Sequence, residues 1–156
     1  MIPQKNPQAA QQYLKTRVMT ATPEQLQIML YDGAIRFCEQ AKAGLEVRNL
    51  EQVFINVSKA QKIVTELLGS LKPDVYPELC QKLSAVYTYV YKKLIEAGVD
   101  HKLASLQEAI ELLKFQRETW ALLLNQVGRE KAGKAVSSMN IPGPDPRMEA
   151  SISMSA

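Results

Sequence analysis

Between residues 22 and 128, apolar side chains recur every three or four positions in four successive stretches, and no proline falls inside any of them. That period marks one buried face on an α-helix. Proline suits the first turn of a helix and breaks its interior, so Pro23, Pro73 and Pro77 show where stretches begin or end. The other prolines lie in the head (Pro3 and Pro7) and in the tail (Pro142, Pro144 and Pro146).

The first stretch opens at Thr22-Pro23-Glu24-Gln25, where Thr22 can cap, Pro23 suits the first helical position and Gln25 completes a capping box. Leu26, Met29, Leu30, Gly33, Ala34, Phe37, Cys38 and Ala41 form its apolar face. Gly33 costs about 1 kcal/mol relative to Ala inside a helix, which implies the close approach of a neighbour. The helix is expected to fray around Gly44 to Arg48. Asn49 with Gln52 signals a second start, and Leu50, Val53, Val57, Ala60, Val64, Leu67 and Leu71 follow as a seam.

The third stretch begins near Pro77, with Leu79, Leu83, Val86, Val90 and Leu94 in its stripe and Gly98 as the expected stop. The fourth begins between Asp100 and Leu103. Leu106, Ile110, Leu113, Arg117, Trp120, Leu124 and Val127 line it, and Gly128 is its expected end.

Four helices of about 20 residues joined by short links must run antiparallel to their neighbours. The expected fold is all-α: an antiparallel up-down four-helix bundle over 22–128. A short N-terminal strap or helix (1–21) precedes it, and a flexible tail (129–156), rich in Ser, Pro and small residues, follows as a disordered segment.

Composition excludes several kinds of chemistry. His101 is the sole histidine, so neither a His-rich metal site nor a di-iron bundle is expected. It falls in a link between helices, where a surface role is expected rather than phosphotransfer. Cys38 and Cys80 lie far apart at or beside apolar stripes, as inert buried thiols in a reducing compartment would. Gly128-Arg-Glu-Lys-Ala-Gly133-Lys134-Ala135 departs from a phosphate-binding loop, which needs Ser or Thr after the lysine and a strand before it. Glu108 and Glu111 share a helix face without a histidine and read as a solvated charged face. No enzyme, cofactor or metal is expected.

The net charge is +3, without the basic stripe and stacking aromatics of a nucleic-acid binder. No apolar run approaches the roughly 20 residues of a membrane span. The head MIPQKNPQAAQQYLK carries no signal-peptide core, so a cytoplasmic location is expected.

Two features leave alternatives open. Arg117 occupies a stripe position between Leu113 and Trp120. It can cover the Trp120 ring, form an internal ion pair or face a partner. The segment around Tyr13, Leu14 and Val18 is apolar enough to pack but too short to fold alone. It is either a strap lying on the bundle or one that occupies a site and can be displaced.

Several blocks resemble a known family. They are Tyr13-x4-Val18, Thr20-Ala-Thr-Pro-Glu-Gln-Leu26, Ile28-Met-Leu-Tyr-Asp-Gly-Ala34, Lys59-Ala-Gln-Lys-Ile-Val64, Tyr87-x-Tyr89-Val-Tyr-Lys-Lys93 and Phe115-Gln-Arg-Glu-Thr-Trp120. In order and spacing they resemble the FliS family of flagellar secretion chaperones over about residues 10–127. The resemblance implies a cytoplasmic, non-enzymatic export chaperone that binds the disordered C-terminal region of flagellin. It implies that the chaperone prevents early polymerisation and aids delivery to the type III export apparatus. The export gate and a flagellin-level regulator are further implied partners. The resemblance also implies that an N-terminal cap carrying Tyr13 and Val18 covers part of the client groove. Exposed Tyr and Met side chains suit such a surface, which singles out Tyr31, Tyr87 and Tyr91, with Tyr13, Leu14, Val18 and Arg117 beside them. For each tyrosine, ordinary core packing is the competing expectation. The competing function is a helical bundle that self-associates through the same stripes.

Overall fold

The computed structural model describes residues 6–138. Five helices follow one another: α1 (Pro7–Thr20), α2 (Pro23–Glu46), α3 (Leu50–Gly69), α4 (Pro77–Asp100) and α5 (Leu103–Ser138). The first compact unit ends at Ala121 and the second begins at Leu122, both within the length of α5.

The start signals act as read. Thr22 Oγ1 accepts from the Gln25 N–H at 3.1 Å, and Gln25 Oε1 accepts from the Thr22 N–H at 3.0 Å, a complete capping box on α2. Asn49 Oδ1 accepts from the Gln52 N–H at 3.2 Å and caps α3. Pro77 opens α4.

The links at Val47–Asn49 and His101–Lys102 are tight because Arg48 and His101 take left-handed backbone angles, φ 56° and 55°. Glycine usually fills such a position at a helix end. His101 therefore closes α4 through its backbone while its side chain stays exposed.

The core of the first unit is built from the expected stripes. Ala34, Cys38 and Ala41 of α2, Val53, Val57, Ala60, Val64 and Leu67 of α3, Val90 and Leu94 of α4, and Leu106, Ile110 and Leu113 of α5 are all buried. Gly33 brings α3 close, since a Cβ there would lie 3.1 Å from Ile63 Cδ1.

Two expectations change. Gly98 does not stop α4: a Cβ there would lie 3.3 Å from Val57 Cγ1, so this glycine serves helix approach, and α4 ends at Asp100. Gly128 does not end α5 either. The helix continues to Ser138, ten residues into the expected tail, because one glycine costs only about 1 kcal/mol against the good helix formers around it. Residues 139–156 of that tail lie outside the described residues. The N-terminal segment, expected as a strap or helix, is a helix over Pro7–Thr20, capped by Asn6, and none of its residues is buried.

Candidate binding surfaces

Two of the tyrosines singled out for a binding surface belong to the core instead. Tyr31 and Tyr87 are fully buried, and their hydroxyls hydrogen-bond to each other. The physical reason is their place on the inner stripes of α2 and α4, where the shared hydrogen bond removes the cost of burying each hydroxyl. Burial raises the pKa of both. Tyr91 is half-buried and packs against the core.

Arg117 proves to be an ion-pair residue. Its Nε donates to Asp32 Oδ1 at 2.5 Å, joining α5 to α2 at the edge of the bundle, and Nη1 reaches Glu118 at 3.4 Å. The Asp32 carboxylate raises the guanidinium pKa further above its ordinary value. Trp120, one turn on, is only half-buried, although it packs against the core as its stripe position requires.

Three stretches of exposed apolar surface in the first unit stand out. On α1, Tyr13, Leu14, Val18 and Met19 are all exposed, with Tyr13 at 67%. None of the four is buried, so the segment presents much of their surface to solvent.

The second place is a groove of about 540 Å³ between α4 and α5. Ala85, Val86 and Tyr89 form one wall, Leu112 and Phe115 the other, with Glu108 and Glu111 along the rim. Phe115 is 66% exposed. At one end of the groove, Tyr89 donates to Glu108 Oε1 at 2.5 Å, which raises the phenol's pKa. Lys93 lies 3.1 Å from Glu96 and 3.6 Å from Glu108. Ser105 Oγ donates to Glu96 Oε2 at 2.9 Å, and this bond, with Lys93, lowers the Glu96 pKa. The cluster ties α4 to α5 and holds Tyr89 in place at the groove mouth.

The third is a cavity of about 550 Å³ at the bundle end, where Leu71, Tyr76, Leu79, Leu83 and Trp120 surround Gln27 and Cys80. Both thiols are free and buried, and burial pushes Cys38 up to about 12. Such thiols are poor nucleophiles.

Sequence reasoning missed Phe115, Tyr89 and Phe54 as surface groups; Phe54 is 68% exposed on α3. Their signal was available: each is a bulky apolar residue lying off the buried stripe of its helix.

Among the described residues, no group of three or more His, Cys, Asp or Glu is placed to hold a metal ion. No helix among them is long and apolar enough to cross a membrane. The Gly128–Gly133 segment is helical, so it forms no phosphate-cradling loop.

Residues 6–127 match the family model described as Flagellar protein FliS. The chain belongs to the FliS family. The match takes in α1 and the whole of α2, α3 and α4, and leaves out the end of α5. Two FliS relatives, both named flagellar secretion chaperones, are 30% identical to the chain. The Bacillus subtilis protein aligns over 128 residues, 82% of this chain and 93% of the relative. The Escherichia coli protein aligns over 112 residues, 71% and 82%. A crystal structure of a bacterial flagellar chaperone superposes with a TM-score of 0.63 at 21% identity, covering 76% of this chain and 97% of that one. That superposition supports the bundle architecture, and the FliS match places α1 inside the family's shared region rather than outside it.

Proposed function

We propose that this chain is a cytoplasmic export chaperone that holds the disordered C-terminal region of flagellin, prevents its premature polymerisation and aids its delivery to the flagellar type III export apparatus. The observation that carries the reading is the FliS match over residues 6–127, on a bundle whose core is complete while Phe115, Tyr13 and Leu14 remain exposed. Flagellin ends are disordered as monomers and helical in the filament. A chaperone can hold them by laying amphipathic stretches into grooves between its helices. Ordering such a segment costs about 2–5 kcal/mol, so the contact must be extensive, and several separate apolar patches supply that extent. The reading asks for no catalytic group and no cofactor. The export gate and a regulator of flagellin level would act on the loaded complex.

The test is a titration of the chain into a fluorescent flagellin C-terminal segment, with a parallel filament-assembly assay by light scattering. A one-to-one complex and suppressed assembly are expected. No complex at micromolar concentrations, with self-association of the chain alone by sedimentation velocity, would replace this reading with the self-associating bundle.

A further inference from the structure

The groove between α4 and α5 has an apolar floor and a one-signed rim. Among the described residues, its charged lining side chains are Glu108 and Glu111, one helical turn apart on α5. They differ in state. Glu108 is engaged by the Tyr89 hydroxyl and lies 3.6 Å from Lys93. Glu111 is exposed and has no basic partner within 4 Å among the described residues. Lys114, its near neighbour on the helix, is committed to Glu39 at 3.2 Å. From Glu108 to Phe115 is about two helical turns, or roughly 10 Å.

We infer that this groove seats about two turns of an amphipathic helix that carries a lysine or arginine flanking its apolar face, with Glu111 as the rim partner of that cation. The inference rests on the chaperone reading for the identity of the client, and on the groove alone for the client's chemistry. The apolar face fills the space between Val86 and Leu112 and covers Phe115, a ring that the fold itself leaves open. Charge complementarity fixes the flank. A carboxylate beside Glu111 is repelled, whereas a cation gains the partner this side chain lacks. The local preference opposes the global one: a net charge of +3 favours acidic partners at long range, and the groove favours basic ones in contact.

The test uses the full chain and three fluorescent probes: a flagellin C-terminal segment and two synthetic amphipathic helices. The two helices share a leucine face, and one is flanked by lysines, the other by glutamates. Glu111→Lys and Phe115→Asp alter exposed positions, Phe54→Asp on α3 is the control, and circular dichroism checks each fold. At low salt the lysine-flanked helix should bind about fivefold or more tightly than its counterpart. Glu111→Lys should invert that order, and salt should shrink it. Phe115→Asp should weaken both helices by about tenfold or more, as loss of a central aromatic anchor does. Phe54→Asp should leave them unchanged. Equal affinities, a preference that survives Glu111→Lys, or no binding of either helix overturns the inference. The flagellin segment separates the two readings. If it binds but ignores Phe115→Asp, the groove is not its seat, and only the chaperone reading stands. If it fails to bind while the helices behave as expected, the groove stands and the flagellin reading falls.

Discussion

The hydroxyls of Tyr31 and Tyr87 meet inside the core and hydrogen-bond α2 to α4, with Gln27 Nε2 3.5 Å from the Tyr87 oxygen. Tyr87 is thus the shared member of the small network. Tyr87→Phe removes the nearest hydrogen-bond partner of the Tyr31 hydroxyl and should cost about 1–3 kcal/mol. Tyr31→Phe should cost less, because Tyr87 keeps Gln27. The double Phe variant should fall short of the sum, since no orphaned hydroxyl remains. Urea unfolding of the four proteins closes the cycle. Strict additivity would mean that the two hydroxyls do not interact in solution.

The glycines of the bundle make contrasting predictions. At Gly44 a Cβ would lie 3.0 Å from Val53 Cγ2 and 3.3 Å from both the Asn49 carbonyl oxygen and the Val53 nitrogen. Backbone cannot yield as a side-chain end can, so Gly44→Ala should destabilise by about 1–3 kcal/mol. At Gly69, the last residue of α3, nothing lies within 4 Å. Gly69→Ala should be stabilising by about 0.5–1 kcal/mol, through the smaller entropy of the unfolded chain. Thermal unfolding midpoints that move in the same direction for both would refute this account of the two glycines.

Cys38 links the core to alkaline pH. Its thiol is pushed from 9.0 up to about 12 in the fold, first by burial and then by Glu39. Below pH 9 it is protonated whether folded or unfolded, so stability there is independent of this group. Between about 9 and about 12 unfolding releases its proton, and stability falls as pH rises, by up to about 1.4 kcal/mol per unit. The buried tyrosines add to the slope at higher pH, because their pKa values are raised in the same sense. Cys38→Ala should flatten the fall above pH 9, whatever it does to stability at neutrality. Urea midpoints at intervals from pH 8 to pH 11 measure that slope. An equal slope in parent and variant would show that the thiol ionises without unfolding.

The bundle was legible because its signals are local and redundant: a capping box at Thr22, a cap at Asn49, a proline at Pro77 and inner stripes that recur every three or four residues. The glycines were harder to read. A helical glycine can end a helix or admit a neighbour, and only the position of Val57 decides the matter for Gly98. The burial of individual tyrosines was harder still. A tyrosine on an inner stripe looks the same in sequence whether its hydroxyl reaches water or another hydroxyl, and for Tyr31 the partner lies 56 positions away. Arg117 posed the same difficulty, since Asp32 lies 85 positions off. Phe115 was readable by the reverse logic, as a large apolar side chain with no place in the seam.

The final prediction concerns α1. If the segment covered a groove, the free protein would have to release it before binding, and removing it would tighten client affinity by the fraction of time the groove is closed. Its exposure points the other way: no α1 residue is buried, and Tyr13 and Met19 are 67% and 76% exposed. With nothing to unmask, deleting residues 1–20 should change the stability of the bundle by no more than about 0.5 kcal/mol. Yet a helix presenting Tyr13, Leu14, Val18 and Met19 can close over a bound client and add contacts of its own. Its loss should therefore weaken binding of a flagellin C-terminal segment by about three- to tenfold, with Tyr13→Ala giving part of that loss. Anisotropy titrations of the parent, Tyr13→Ala and the shortened chain decide the point. Tighter binding by the shortened chain would mean that α1 covers the groove in solution, and three equal affinities would remove it from client recognition altogether.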